Sequence, residues 1–177
     1  MEIIKTSIQG LFIIKPKVFF DERGYFLESF KEDFFKKNFP EIHFIQNNES
    51  KSSYGVLRGL HFQKPPFEQT KLVRVIKGKI LDIAVDLRKD SLTFGKYESI
   101  ILSGNNKKQF LIPKEFAHGF VVLSKTAIVS YKVDNIYSPD HESGIIYNDQ
   151  NLNIDWKLNN QDLTISKKDL KLNNFIN

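Results

Sequence analysis

The sequence predicts an all-β fold, an antiparallel barrel or sandwich with a few short helices, on three observations. Short β-rich runs recur along the middle of the chain, turn residues separate them at close intervals, and helical signals are confined to two brief stretches. The first two runs, Leu72 to Ile76 and Ile80 to Leu87, flank Lys77-Gly78-Lys79, which has the composition of a tight turn. Val73, Val75, Ile80, Ile83 and Val85 carry much of their apolar side. A second pair joins Tyr97 to Leu102 with Gln109 to Ile112 through Ser103-Gly104-Asn105-Asn106. A third joins Gly119 to Leu123 with Ala127 to Val133 around Ser124-Lys125-Thr126. Small barrels of this kind hold ligands inside the mouth.

The helical signals are two boxes of the same form. Ser29-Phe30-Lys31-Glu32 reads as a capping box that opens a short helix to about Lys37, stopped before Pro40. Ser166-Lys167-Lys168-Asp169 repeats the pattern near the end and opens a last short helix. Asn148 to Asn160 is Asn-rich and reads as loop. With no internal repeat and no low-complexity linker, residues 1–177 read as one domain.

Composition narrows the class. The chain is 41% hydrophobic, with sixteen Phe against one Trp and one Met, which supplies a core and argues against disorder. The absence of cysteine excludes a disulfide scaffold, an iron–sulfur site, a zinc ribbon and a thiol nucleophile. Lys+Arg 26 against Asp+Glu 21 gives +5, but the lysines are scattered and read as a solvated surface, not a nucleic-acid face. Met1 to Pro16 lacks the layout of a secretory signal, and no run reaches the roughly 20 apolar residues of a membrane helix. The expectation is a soluble cytoplasmic protein with neither a nucleic-acid nor a membrane partner.

Four histidines limit the search for chemistry. His61 lies in the apolar run Val56-Leu57-Arg58-Gly59-Leu60-His61-Phe62-Gln63. Strict alternation puts Arg58, Leu60 and Phe62 on one face and Leu57, Gly59 and His61 on the other. His118 sits in Ile112 to Phe120, where a new strand should begin. A single histidine among apolar neighbours is ordinarily a hydrogen-bonded core residue, but two on different strands of one small barrel can meet inside it. His43 and His141 have loop-like neighbours and read as surface. Metal-binding barrels of the cupin type carry His-x-His on one strand, whereas here the motif reads His61-Phe62-Gln63 and the second ligand is missing. His61, His118 and Asp82 leave a 2-His-1-carboxylate site open as an alternative, and acid–base chemistry without metal is the preferred reading.

The chain resembles the dTDP-4-dehydrorhamnose 3,5-epimerase family nearly end to end. The resemblance is carried by Asp21-Glu22-Arg23-Gly24-Tyr25-Phe26-Leu27-Glu28, Gln46-Asn47-Asn48 with Ser50, Gly55 through Gln63, and Lys71-Leu72-Val73. It continues through Val85-Asp86-Leu87-Arg88, Ser91, Thr93-Phe94-Gly95, Ile112 through Phe120, Tyr131, and Tyr137-Ser138-Pro139 with Glu142. Tyr147 departs from it, standing where the family usually has Trp.

The resemblance implies a cupin-like jelly roll acting on a dTDP-linked 4-keto-6-deoxyhexose. The ketone acidifies the hydrogens on carbons 3 and 5, so the chemistry calls for no cofactor, only a base on one side of the sugar and an acid on the other. By the match, His61 is the base, Asp169 orients it, Tyr131 is the acid, and Lys71 holds the enolate oxygen. Arg58 suits the diphosphate. Arg23, Glu28, Gln46, Asn48, His118, Glu142 and Lys168 match substrate-binding positions, and Tyr137 matches the aromatic that stacks on thymine. Without the match, Asp169 fits a helix cap and Tyr131 a core tyrosine. The family also implies a homodimer in which N-terminal residues reach into the partner's pocket. Single-carbon epimerases and 3,4-ketoisomerases share much of this set and stay as alternatives, as do a metal-dependent cupin and a non-catalytic binder.

Overall fold

The computed structural model describes residues 1–175. Its chain begins with β1 (Glu2–Lys5), β2 (Phe12–Lys15), β3 (Val18–Asp21), β4 (Gly24–Leu27) and the helix α1 (Glu32–Asn38). Then follow β5 (Gln46–Ser53), β6 (Val56–Gln63), β7 (Lys71–Lys77) and β8 (Lys79–Asp86). β9 (Tyr97–Ser103), β10 (Gln109–Ile112), β11 (Phe116–Val122) and β12 (Thr126–Val133) complete the central strands. β13 (Glu142–Gly144) and β14 (Thr164–Ile165) lie in a C-terminal segment that also carries the 3-10 turn Asp169–Lys171.

These strands form a two-sheet jelly roll. The first sheet has the order β1-β2-β10-β7-β12-β5, and the second runs β13-β6-β11-β8-β9, with β14 added in parallel to β6. All three predicted strand pairs form as strands, but none is a hairpin: β7 and β8, β9 and β10, and β11 and β12 each split between the two sheets. β8 pairs with β9 and β11, and β7 with β10 and β12. A short polar turn serves a hairpin and a crossing equally well, so composition does not separate them. Gly78 makes the first crossing at φ +84°, where a Cβ would lie 2.1 Å from the Thr126 carbonyl oxygen.

Apolar contacts explain why the crossings win. Val73, Val75, Ile80, Ala84, Phe110, Ile112, Phe120 and Val129 meet between the sheets. Leu57, Leu60, Leu81, Ile83, Val85 and Val121 cover the outside of the second sheet, under Ile145, Leu152, Trp156 and Phe175 of the C-terminal segment. Ile83 and Val85 therefore face away from Ile80, not alongside it as predicted. Outside the first sheet, Ile14, Leu72 and Leu111 pack on Phe35, Phe39 and Ile42 of α1 and its continuation. With both faces covered, β8, β10 and β11 read as nearly unbroken apolar runs.

The first capping box does not form. α1 starts at Glu32 with Lys31 at its N-cap and no side-chain cap, while the Ser29 carbonyl accepts a hydrogen bond from Gln109 Nε2 at 2.6 Å. Phenylalanine packing holds this helix instead: Phe30 stacks on Phe35 at 5.0 Å between ring centres. Asn148 to Asn160 is loop as predicted up to Asn159, and Asn160 opens the 3-10 turn Asn160–Asp162. His43 is exposed, but His141 is half-buried, with Nδ1 2.8 Å from Ser138 Oγ and its ring against Phe67. Among the described residues no helix is long and apolar enough to cross a membrane.

At the end of β8, fully buried Asp86 gathers Arg88 Nε (2.8 Å), Arg88 Nη2 (2.7 Å), Ser91 Oγ (2.6 Å) and Thr93 Oγ1 (2.7 Å). Burial raises this carboxyl, but its donors outweigh burial and bring it down to about 2. The stabilisation is complete above the unfolded carboxyl's pKa and is lost as pH falls through the folded one. Asp86→Asn is expected to cost about 2–4 kcal/mol in urea unfolding at pH 7, with the difference from wild type shrinking as pH drops from 4 towards 2.

Candidate active site

A cavity of about 550 Å³ opens between the two sheets, and Arg58, His61, Lys71, His118, Tyr131, Lys168 and Asp169 all line it. His61 and Arg58 come from β6 and His118 from β11, all in the second sheet, whereas Lys71 and Tyr131 come from β7 and β12 in the first. The cavity thus has two chemically equipped walls.

Strict alternation on β6 predicts Arg58 and His61 on opposite faces; the structure puts both in the cavity. The register explains it. His118 lies opposite His61 and Phe120 opposite Arg58, so three steps on β6 match two on β11. The extra residue is a β-bulge, which inverts the side-chain order beyond it. Leu57 and Leu60 then both pack outside, and Arg58 and His61 both face in. Gly59 sits in the bulge at φ +114°, where a Cβ would lie 2.6 Å from His118 O and Gly119 Cα.

Asp169 is clamped to this bulge. Its Oδ1 lies 2.8 Å from His61 Nε2, and its Oδ2 accepts the Gly59 amide at 3.2 Å. The second capping box forms by half. Ser166 Oγ accepts the Asp169 amide at 3.0 Å, but the Asp169 carboxylate turns to His61 and does not return to Ser166. The turn is a single 3-10 turn, shorter than the predicted helix. Because a carboxylate only accepts, His61 carries its hydrogen on Nε2 when neutral, which leaves Nδ1 as the free base. The His61 side chain is 31% exposed and Asp169 only 6%.

His118 repeats the arrangement more deeply. Its Nε2 lies 2.7 Å from Asp82 Oδ1, and burial lowers its pKa against the opposing pull of Asp82. Lys71 Nζ points to the His61 carbonyl at 3.4 Å. Burial brings this ammonium down to about 8, although Asp82 and Glu142 hold it up. Tyr131 is a diagonal neighbour of Lys71 across the β7–β12 ladder, and burial raises its phenol, so it stays protonated. Arg58 Nε donates to buried Ser52 Oγ at 3.1 Å.

Glu142 accepts from both Lys168 and Tyr137, each at 2.5 Å, which joins exposed Tyr137 to the cavity-lining Lys168. Although burial raises Glu142, these two donors hold its carboxyl below the usual range. Arg23, Glu28, Gln46 and Asn48 do not line the cavity. Arg23 pairs with Asp21 at the exposed β3–β4 turn, and Glu28 pairs with Lys31. Gln46 Nε2 donates to Asn48 Oδ1 at 2.7 Å on the edge strand β5.

Two side chains with a part in the site were not assigned it from sequence. Ser52 gave no signal. Asp82 had one: it is a charge in the middle of an apolar strand, and it entered only as a candidate metal ligand. The 2-His-1-carboxylate alternative needs three side chains converging on one point. Among the described residues no such group of His, Asp or Glu occurs, and His61 and His118 each turn Nε2 to a different carboxylate, Asp169 and Asp82.

The family model described as dTDP-4-dehydrorhamnose 3,5-epimerase matches residues 5–177. An enzyme of that name from Methanothermobacter thermautotrophicus is 53% identical over 94% of this chain and 90% of its own length. The crystal structure of dTDP-4-dehydrorhamnose 3,5-epimerase from Elizabethkingia anophelis superposes with a TM-score of 0.93 at 50% identity, covering 99% of this chain and 96% of that one. A Legionella pneumophila 3,5-epimerase, solved in complex with dTDP-4-keto-L-rhamnose, also gives 0.93, at 46% identity over 98% of this chain and 92% of its own.

Asp169→Ala strands the Gly59 amide and the His61 ring and is expected to cost about 1–3 kcal/mol in urea unfolding. Ser166→Ala is expected to cost about 1 kcal/mol. Because both act on one turn, the double variant should fall short of the sum by roughly 0.5 kcal/mol or more.

Proposed function

The chain belongs to the dTDP-4-dehydrorhamnose 3,5-epimerase family, and from that premise we propose that residues 1–177 act as one cupin-like domain that inverts carbons 3 and 5 of dTDP-4-dehydro-6-deoxy-D-glucose. The product is dTDP-4-dehydro-L-rhamnose. The observation that carries the reading is the His61–Asp169 pair on one wall of the cavity with Tyr131 and Lys71 on the other.

The 4-ketone makes each neighbouring C–H acidic, and the reaction moves protons without net redox change. His61 Nδ1 takes a proton from carbon 5 or carbon 3, and Asp169 stabilises the imidazolium through Nε2–H. The electron pair moves onto the ketone oxygen, where the Lys71 ammonium meets the developing charge. Tyr131, held protonated by burial, returns a proton from the opposite wall. The sugar's composition is unchanged and only its configuration inverts, and the proton gained by His61 returns to Tyr131 through solvent before the next inversion. Arg58, braced by Ser52, and Lys168 offer cationic donors to the diphosphate. Tyr137 presents an exposed ring for the thymine base beside Glu142, and His118 binds the sugar. A nucleoside-diphosphate sugar is an intracellular metabolite, so the reading implies a cytoplasmic enzyme.

The working unit in this reading is a homodimer. The β3–β4 hairpin pairs only with itself and leaves Phe19, Phe20, Tyr25 and Phe26 between 49% and 77% exposed. Such an apolar patch calls for a partner. The same hairpin carries Arg23 and leads to Glu28, both outside the cavity of their own chain. Reaching into the partner's cavity gives these residues, together with Gln46 and Asn48 on the free edge of β5, a place at a composite site.

Proton NMR of the substrate in deuterium oxide tests the chemistry. Deuterium is expected at both carbons, with the L-sugar trapped by a reductase; exchange at one carbon alone indicates a single-carbon epimerase, and no exchange rejects the reading. His61→Asn should lower kcat/KM by about 10³-fold or more. Tyr131→Phe should keep proton exchange while full inversion collapses, and equal turnover removes Tyr131 from the mechanism. Arg23→Ala and His61→Asn chains refolded together should regain about a quarter of wild-type activity, since half the dimers then hold one intact composite site. No recovery argues for sites built within one chain.

A further inference from the structure

A second histidine–carboxylate pair lies beneath the first, and the mechanism leaves its carboxylate without a task. Asp82 is fully buried on β8, and its neighbours on the same face, Ile80 and Ala84, belong to the core between the sheets. Its Oδ1 holds His118 Nε2 at 2.7 Å. Its Oδ2 has no hydrogen-bond partner among the described residues. A buried polar atom left unpaired costs about 1–3 kcal/mol, and more when charged. Packing alone gives no reason to keep such a group.

The chemistry of the pair gives a reason. The carboxylate accepts, so His118 carries its hydrogen on Nε2, and in the neutral ring Nδ1 is a lone pair. Burial favours that neutral ring. Nδ1 makes no hydrogen bond among the described residues, and His118 lines the cavity. Lys71 lines the cavity with His61, His118 and Tyr131 from β6, β11 and β12. Its Nζ lies 3.4 Å from the carbonyl of His61, the register partner of His118, and behind His118 stands Asp82 of β8, while Glu142 comes from β13. Asp82 and Glu142 are the anions that oppose its desolvation. Glu142 answers Lys168 and Tyr137 through Oε2, whereas Asp82 Oδ2 is the buried side-chain oxygen left without a partner among the described residues.

We propose that Asp82 is a positioning residue for this site. It locks His118 as the Nε2–H tautomer, so that His118 meets a hydroxyl of the sugar as an acceptor, and it supplies the buried negative charge that keeps Lys71 the cation for the enolate oxygen. The proposal rests on the epimerase reading and divides the labour within it. A donor role for His118 at the enolate oxygen requires the imidazolium or the other tautomer, and Asp82 sets the ring against both.

Long-range ¹H–¹⁵N correlation on the substrate-free wild-type protein reads the tautomer directly. Neutral His118 with Nε2–H at pH 7 is expected, and an imidazolium or an Nδ1–H ring overturns the proposal without any variant having to fold. With ¹³C-labelled lysine, Lys71 should titrate near 8 in the wild type. In Asp82→Asn, which preserves shape and removes charge, the midpoint should move at least about half a unit lower; an unchanged midpoint overturns the second half. Turnover by Asp82→Asn should fall about 10–100-fold with KM within about threefold. Its basic limb should move to lower pH, because the ammonium is then lost earlier. Should the wild type neither exchange nor invert the sugar, the epimerase reading fails, and the two NMR measurements still decide the role of Asp82.

Discussion

The site depends on one carboxylate, Asp169, held at two points of β6. The segment that carries it has little regular structure: a two-residue strand, scattered turns and a 3-10 turn. What fixes it is apolar burial. Ile145, Leu152, Trp156 and Phe175 cover Leu57, Leu60 and Leu81, and β14 adds two parallel rungs to Val56 and Leu57. Ser166 then closes the turn through the Asp169 amide and leaves the carboxylate free to face inward. A buried carboxylate without partners is driven to protonate or to leave. The Gly59 amide and the His61 ring keep it in place, and the same contacts aim the ring.

A second constraint is the crossing topology. Each short connection hands the chain from one sheet to the other, so residues close in sequence come to stand on opposite walls. Lys71 begins β7 in one sheet, and Asp82 lies midway along β8 in the other. That geometry suits a reaction needing groups on both faces of a sugar ring. It also explains the sequence pattern: strands buried on both faces cannot alternate polar with apolar, and each polar residue that interrupts them has its own task, His118 lining the cavity with Asp82 behind it while Asp86 and Gln109 bind neighbouring loops.

Much of this was legible in the residues. The central strands β7 to β12 and the scarcity of helix follow from β-rich runs and turn composition, with β11 starting three residues earlier than predicted, whereas β1 to β5 and the short β13 and β14 were not read from the sequence. The pairing does not follow, because Lys77-Gly78-Lys79 can close a hairpin or bridge two sheets, and only the burial of distant strands decides. Arg58 and His61 were read onto opposite faces because a one-residue bulge leaves no composition signal beyond Gly59. The box at Ser29 failed because Phe30, Phe35 and Phe39 outweigh a cap. The box at Ser166 half succeeded, since its acid had a better partner in His61. The placement of Asp169 against His61 came from family resemblance; its spacing pointed only to a cap. Arg23 and Glu28 were read onto the site from family resemblance, and in this chain they stand outside the cavity, paired with Asp21 and Lys31.

The two histidine–carboxylate pairs show how burial divides one chemistry into two roles. His61 and His118 are register partners on adjacent strands, and each turns Nε2 to a carboxylate. They differ in access to water: the His61 side chain is 31% exposed and His118 only 9%. In the proposed mechanism His61 gains and loses a proton, and it is the ring with the greater access to water, beside an Asp169 anchored at two points. An imidazole that must stay neutral is better placed deep, where desolvation opposes the imidazolium even beside an anion. Exchanging the two environments would leave a base that resists protonation and a hydrogen-bond acceptor that titrates. Under the proposed function, the difference in depth between neighbouring rungs of one ladder suits His61 to proton transfer and His118 to recognition.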